Sequence, residues 1–365
     1  MESALNEADA DNRSAKTRAV QLPIDLATLS VPSLAAIMAV AAGLVWLAGT
    51  KVTHFVAAIA RRTGIGEAFA GMLLLGGITS LPELATAGTA AASGDALLTV
   101  NDLLGSASMN LMLLAIGDFI YGRDALTSVA GRPVTLMQGT LGMILLAGVA
   151  FAIATGDMVV PLLGAGLATL ILAVGCVQSL RISRRFVDNP NWKITNLPRV
   201  DAVETPETSL SNSRLAVVTF VAALGVLVGG AALAMSGSAL ADKTGLGSSI
   251  VGFVLVGFAT SLPELSSVLA ALRLRRYQMA IGDIFGTNLF NIQILFVADL
   301  AYRDGALLNA AGTFEIAACS LAALLTGVFL VGLLERNNRT IGRIGFDSAA
   351  VLVLFAGGIV ALATI

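Results

Sequence analysis

The sequence predicts an all-α membrane protein of about ten transmembrane helices, arranged as two inverted five-helix repeats. Three observations predict it. Of 365 residues, 56% are hydrophobic and 13% charged, with a mean hydropathy of +0.85; a soluble domain carries roughly 25% charged residues. The hexapeptide TSLPEL occurs twice, at Thr79–Leu84 and Thr260–Leu265, each time inside a long apolar stretch. The basic residues cluster in alternate loops between apolar runs.

A bilayer core takes roughly 20 apolar residues per helix. Stretches of that kind lie at about 31–60, 66–92, 96–120, 133–155 and 158–181, and again at 213–241, 247–272, 278–301, 312–334 and 346–364. Ahead of them, residues 1–30 form an N-terminal tail; its first 22 positions are polar and mixed in charge, lack the basic-then-apolar order of a signal peptide, and read as disordered. The first span runs on past Lys51 and His54, and Pro82 and Pro263 interrupt the second and seventh. The polar, Pro-containing stretch 183–212 reads as a cytoplasmic linker too short for a folded regulatory domain. It separates a first five-helix repeat, 31–182, from a second, 213–365.

The repeat extends well beyond six letters. Glu83 and Glu264 lie 181 residues apart, and with that offset Thr63, Gly64, Gly66, Gly71 and Gly76 meet Thr244, Gly245, Gly247, Gly252 and Gly257. Downstream, Asp102, Gly105, Asn110, Asp118 and Tyr121 meet Asp283, Gly286, Asn291, Asp299 and Tyr302. Charge orients the two copies. Arg61 and Arg62, Arg123 and Arg132, Arg181 to Arg199, Arg273 to Arg276, and Arg336 to Arg343 follow the first, third, fifth, seventh and ninth spans, so all can face the cytoplasm and both termini fall outside. The turn near Gly94 and Asp95 is then external and its counterpart near Arg273–Arg276 internal, which makes the repeats inverted. Inverted repeats with a midplane site are a transporter architecture.

The chemistry centres on the doubled motif. An ionisable residue at membrane depth is costly and marks function by default. Thr79 and Ser80 precede Glu83 by four and three residues, spacings that share a helix face. Pro82 lacks an N–H, so the Ile78 carbonyl loses its helical donor, and in lipid an orphan carbonyl needs another partner, such as a cation. Thr260, Ser261, Pro263 and Glu264 repeat the arrangement and free the Ala259 carbonyl. The next helix places Asp102, Ser106 and Asn110 at four-residue steps, and its twin Asp283, Thr287 and Asn291; Gly105 and Gly286 admit a close neighbour. These groups offer only oxygen, with no Cys or His cluster, so they suit hard cations: Ca2+, Mg2+, Mn2+ or Na+. Two facing carboxylates neutralise one divalent ion. Empty, they repel and cannot both stay ionised cheaply, a physical basis for antiport.

A TSLPE motif followed by Gly-Ser/Thr-x-x-x-Asn, twice and inverted, resembles the Ca2+/cation antiporter superfamily, best known for Na+/Ca2+ exchangers. The likeness covers about 63–121 and 244–302. It implies an exchanger whose ion ligands are Thr79, Ser80, Glu83, Ser106 and Asn110 in one half, and Thr260, Ser261, Glu264, Thr287 and Asn291 in the other. It further implies backbone carbonyl ligands at Gly76 and Gly257. This chain departs from the pattern where the family reads Gly-Asn-x-x-Gly-Ser-Asn. Asp102 and Asp283 replace two asparagines, Ala107 replaces a third whereas Asn288 keeps it, and Asn110 and Asn291 are amides where some exchangers are acidic. Asp102 and Asp283 are therefore candidate ligands, proton carriers or helix caps.

The expected activity is export of a divalent cation, Ca2+ first, in exchange for Na+ by alternating access. The alternative is the same scaffold driven by protons, with Glu83, Glu264, Asp102 and Asp283 changing protonation state; a cation channel is a further reading. No enzymatic activity is expected: HExxH and GxSxG motifs are absent and His54 is isolated. No cofactor is implied beyond the transported ions. The expected partners are inorganic cations and the bilayer, most naturally the cell (inner) membrane, with no nucleic-acid patch and nothing that requires more than a monomer. Cys176 and Cys319 lie in apolar runs, unlike a disulfide scaffold. Asp118 and Asp299 read as interfacial, Lys51 and His54 as snorkelling or paired, and Arg273–Arg276 as a topology determinant or a lipid-headgroup contact.

Overall fold

The computed structural model describes residues 28–122, 124–188, 192, 203, 209–244 and 257–365. Most of the tail, most of the 183–212 linker and the start of the seventh span lie outside these residues. Helix α1 (Val31–Thr63) opens at Ser30, whose hydroxyl accepts the Ser33 N–H, and ends at Gly64, where φ is +67°. The second span is bent by 45° into α2 (Glu67–Thr79) and α3 (Leu81–Ala92). Residues Gly71–Leu75 of α2 form a π-helical turn. The break falls at Ser80 because a proline at 82 withholds its N–H and its ring crowds the carbonyl one turn back. The equivalent break recurs at Ser261, between helical residues 257–260 and α9 (Leu262–Arg273), with Pro263 in the first turn.

The remaining elements follow the expected order. They are α4 (Ala96–Tyr121), the short α5 (Leu126–Ala130), α6 (Pro133–Thr155), α7 (Leu167–Asp188), α8 (Asn212–Thr244), α10 (Tyr277–Ala301), α11 (Thr313–Glu335) and α12 (Phe346–Leu362). Among the described residues seven helices are long and apolar enough to cross a membrane, the bent pair makes an eighth, and α12 is shorter. A helix stands in each of the ten expected segments. Five crossings is an odd number, so the second half enters from the face opposite the first.

One boundary differs from expectation. The fifth span was expected from about 158, but Val159–Val160 (β1) and Ala165–Gly166 (β2) pair as an antiparallel hairpin and α7 starts only at Leu167. Asp157 accepts the Ala168 N–H at 2.8 Å, a bond that holds the hairpin at the helix start. At its other end α7 continues into the stretch read as linker, supported by the i,i+4 pair of Arg184 and Asp188 at 3.0 Å. A second hairpin, Thr340–Ile341 (β3) with Ile344–Gly345 (β4), precedes α12.

The core is built on α4 and α10, whose apolar spans are 78% and 67% buried, whereas those of α1 and α8 are 22% buried and lie at the outside of the protein. The two halves interlock rather than abut. Helix α2 crosses α10 with backbone against backbone: a Cβ on Gly286 would stand 2.2 Å from the Met72 carbonyl oxygen, and one on Gly76 2.7 Å from the Thr287 nitrogen. The long helices α1 and α8 pack along each other and each reaches across to the other half's broken helix. Gly230 of α8 lies against Pro82 and Gly49 of α1 against Pro263 and Ser266, two contacts related by the same 181-residue offset. Small residues are what allow such approaches between membrane helices.

Gly286→Ala therefore forces the α2–α10 crossing apart and is expected to cost about 1–3 kcal/mol, the range of core overpacking. Gly142→Ala, where a Cβ meets nothing within 4 Å, is expected to leave stability unchanged or slightly raised. Thermal unfolding of the two detergent-solubilised variants compares them directly, and equal midpoints would refute the close crossing.

Candidate functional site

The two helix breaks bring the doubled motif to the middle of the protein. Glu83 and Glu264 are both fully buried, and none of their four carboxylate oxygens has a protein hydrogen-bond partner among the described residues. Glu264 and Asp102 lie within electrostatic reach of Glu83, and Asp283 within reach of Glu264. Thr79 spans the gap between the halves. Its hydroxyl stands 3.1 Å from that of Thr287 and 3.5 Å from Asp283 Oδ1, and it approaches the Glu264 carboxyl. Its repeat mate Thr260 turns back onto its own chain instead and donates to the Gly257 carbonyl at 3.1 Å. Thr79 also reaches its own Gly76 carbonyl at 3.4 Å, so the two threonines differ in the added contact across the halves.

The third and eighth spans supply amides whose orientation is set by packing. Asn110 Nδ2 donates to Asn288 Oδ1 at 2.9 Å, Asn288 Nδ2 donates to the Ala107 carbonyl at 3.2 Å, and Asn291 Nδ2 donates to the Leu103 carbonyl at 3.3 Å. Each bond crosses from one half to the other and uses an amide N–H. The carbonyl ends of Asn110 and Asn291 are left without partners, as are the hydroxyls of Ser106 and Ser261. Buried polar atoms are ordinarily hydrogen-bonded, so this concentration of orphaned oxygens needs an explanation. All of these oxygens can accept, and a cluster of oxygen acceptors suits a hard cation.

The arrangement is short of charge for a resident metal centre. Among the described residues no three His, Cys, Asp or Glu side chains gather closely enough to hold an ion by themselves. Neutral oxygens must complete any shell. The carbonyls of Gly76 and Gly257, implied as ligands by the family likeness, are engaged locally in this structure. Gly76 accepts from the Ser80 N–H at 3.1 Å and the Ser80 hydroxyl at 2.6 Å, and Gly257 accepts from the Ser261 N–H at 3.0 Å. Turning the Ser80 hydroxyl aside would open one lone pair of the Gly76 carbonyl while the Ser80 N–H stays on it.

Asp102 and Asp283 are not helix caps. Asp95 caps α4, accepting the Leu98 N–H at 3.0 Å, and Asp102 lies nearly two turns further in. Asp102 Oδ2 instead accepts from the Thr86 hydroxyl at 3.0 Å while Oδ1 stays unpartnered. Asp283 takes the matching bond from Ser267 and is fully buried. Thr86 and Ser267 went unnoticed in the sequence, although each lies three residues past a glutamate and the two are 181 residues apart. The i,i+3 spacing and the repeat offset together were the available signal.

The structure also places the other charges singled out in the sequence. Asp118 and Asp299, read as interfacial, stand near the helix ends and are fully buried in the protein, where each fastens the end of a central helix to the other half. Asp118 accepts the Leu126 and Gly345 N–H groups, both at 2.7 Å; Asp299 accepts those of Leu307 at 2.8 Å and Gly166 at 2.7 Å. Arg276 is not a surface charge. It is 1% exposed and bonds Glu67 at 2.5 Å across the halves, while Arg273 and Arg275 remain exposed. Lys51 is exposed along α1.

A family model described as sodium/calcium exchanger protein matches residues 33–180 and 215–364. The putative antiporter CaxA of Alkalimonas amylolytica is 27% identical over 306 residues, which span 82% of this chain and 90% of that protein. The inner membrane protein YrbG of Escherichia coli is 27% identical over 247 residues, spanning 66% of this chain and 71% of YrbG. Among solved structures, the sodium-calcium exchanger NCX_Mj soaked with Na+ and Sr2+ superposes with a TM-score of 0.65 at 19% identity, covering 92% of this chain and 99% of that one; this likeness bears on the fold.

Removing the hydroxyls beside the two aspartates tests the new pairs. Thr86→Val and Ser267→Ala each leave a buried carboxylate oxygen without its donor and are expected to cost about 1–3 kcal/mol. Thr89→Val, on an exposed residue of the same helix, serves as control. A thermal midpoint for Thr86→Val equal to that of the control would show that the Asp102 contact contributes nothing.

Proposed function

The chain belongs to the sodium/calcium exchanger protein family, and on that premise we propose that it is a secondary antiporter that exports a divalent cation, Ca2+ foremost, in exchange for Na+. The observation that carries this reading is the set of buried, partnerless oxygens on Glu83, Glu264, Ser106, Asn110, Ser261 and Asn291. Ca2+ takes roughly 6–8 oxygen ligands, and these groups with Thr79, Ser80, Thr260 and Thr287 supply that many. Glu83 and Glu264 neutralise the two positive charges, and the hydroxyls and amides replace its water. The Gly76 and Gly257 carbonyls join when the Ser80 and Thr260 hydroxyls release them.

Exchange rather than leakage follows from electrostatics. A charged side chain at the bilayer centre costs roughly 2.5–3.5 kcal/mol on insertion scales, and two facing carboxylates add mutual repulsion. The empty site is therefore the costly state, and each departure of a divalent ion is compensated by Na+ on overlapping oxygens. The broken second and seventh spans, each crossed by a long helix of the other half, provide the parts that rock about the site in alternating access. In this scheme the protein lies in the cell (inner) membrane with both termini extracytoplasmic, as the basic loops require, and the two five-helix repeats act as the moving units.

A second reading, proton drive on the same scaffold, is favoured by one feature. Asp102 and Asp283 stand where the family pattern has neutral asparagines, within reach of Glu83 and Glu264. Both readings place the divalent ion on the two glutamates. They differ in which cation returns.

Glu83→Gln and Glu264→Gln are each expected to abolish divalent uptake into vesicles while leaving the protein folded. Uptake at the wild-type rate in either variant would overturn the ligand assignment. The driving ion is read by imposing a Na+ gradient at clamped pH, and separately a pH gradient without Na+. Flux that persists after complete removal of Na+ would replace the first reading by the second.

A further inference from the structure

A groove of about 490 Å3 opens away from the cation site, between α2 and the end of α7. Its floor is apolar, from Phe69 and Leu73 on α2 and Leu180 on α7, and its rim carries Arg181, Arg184 and Arg185. Arg184 is already engaged: its guanidinium lies 5.7 Å above the Phe69 ring and bonds Asp188 at 3.0 Å. Arg181 and Arg185 are exposed and paired with no carboxylate among the described residues. All three stand in the last turns of a membrane span, the depth at which lipid headgroups lie.

The chemistry of the groove matches one kind of occupant. Arginine recognises phosphate through paired N–H donors, and basic pockets between membrane helices accept anionic headgroups. A soluble anion would use the rim and leave the apolar floor bare; a neutral acyl chain would use the floor and leave the arginines bare. We propose that the groove holds an anionic phospholipid of the surrounding bilayer, its phosphate on Arg181 and Arg185 and an acyl chain along Leu73 and Leu180. The occupant lies against a sensitive part of the molecule. Leu73 belongs to the π-helical turn Gly71–Leu75, which leads directly into Gly76, Thr79 and Ser80. Turns of this kind are local departures from regular helix that recur at functional sites.

The test is thermal unfolding in nanodiscs of phosphatidylcholine alone or with phosphatidylglycerol. Wild type and the charge-matched control R273Q/R339Q are expected to gain several degrees from phosphatidylglycerol, as a ligand bound only by the folded state provides. R181Q/R185Q is expected to gain none of this, and R181K/R185K, which retains the charge, part of it. An equal gain in R181Q/R185Q overturns the proposal. So does inorganic phosphate that reproduces the full shift on detergent-solubilised wild type, which would mark a simple anion site. Should R181Q/R185Q fail to fold, mass spectrometry of the purified wild type decides: retention of phosphatidylglycerol over phosphatidylcholine is the expected result, and no preference overturns it.

Discussion

Two carboxylates buried at the centre of a membrane protein with no hydrogen bond to satisfy them are the constraint on which the rest of this structure depends. Glu83 and Glu264 are fully buried and their oxygens unpartnered. Such groups are tolerated only where a ligand or a proton balances them. The surroundings keep other donors away. The amide nitrogens of Asn110 and Asn291 are turned toward the opposite half, and the Ser80 hydroxyl is turned onto Gly76. The result is a buried cluster rich in acceptors, in which the Ser106 and Ser261 hydroxyls are the donors left unpartnered.

The architecture serves that arrangement. A continuous helix would satisfy its own carbonyls and carry its side chains past the midplane at fixed spacing. The prolines of the doubled motif break the second and seventh spans, and the breaks turn Thr79, Ser80 and Glu83 inward with their repeat mates. Glycine contacts then bring α2 against α10 at backbone distance, which sets the two glutamates within reach of each other. Asp118 and Asp299 close the assembly from both ends, each binding backbone N–H groups of both halves. The pseudo-symmetry is not complete at the centre. Thr79 reaches Thr287 across the halves while Thr260 stays on its own chain.

The departures from the family pattern are equally physical. Exchanging an asparagine for an aspartate at positions 102 and 283 adds a charge but removes two donors. The structure supplies the missing donors from Thr86 and Ser267, one turn beyond the glutamates. These pairs hold the two aspartates beside the glutamates. Membership of the sodium/calcium exchanger family thus explains the frame on which Glu83, Glu264, Asp102 and Asp283 are set.

Much of this was legible in the residues themselves. Hydropathy is a local property, so the ten spans and their order could be read directly, and an ungapped repeat needs no coordinates to be seen. The doubled glutamate beside a proline identified the centre, because few structural roles place the same cost in lipid twice. What the chain alone could not disclose are the partners contributed by residues far away in sequence. Asn110 meets Asn288, Thr79 meets Thr287 and Arg276 meets Glu67 only after the halves interlock. Asp118 and Asp299 could be read as ending helices, but the returning hairpins that bury them appear only in the fold. Spacing along a helix determines which side chains share a face; which of their atoms remain free is decided by what packs against that face, and that is a property of the tertiary structure.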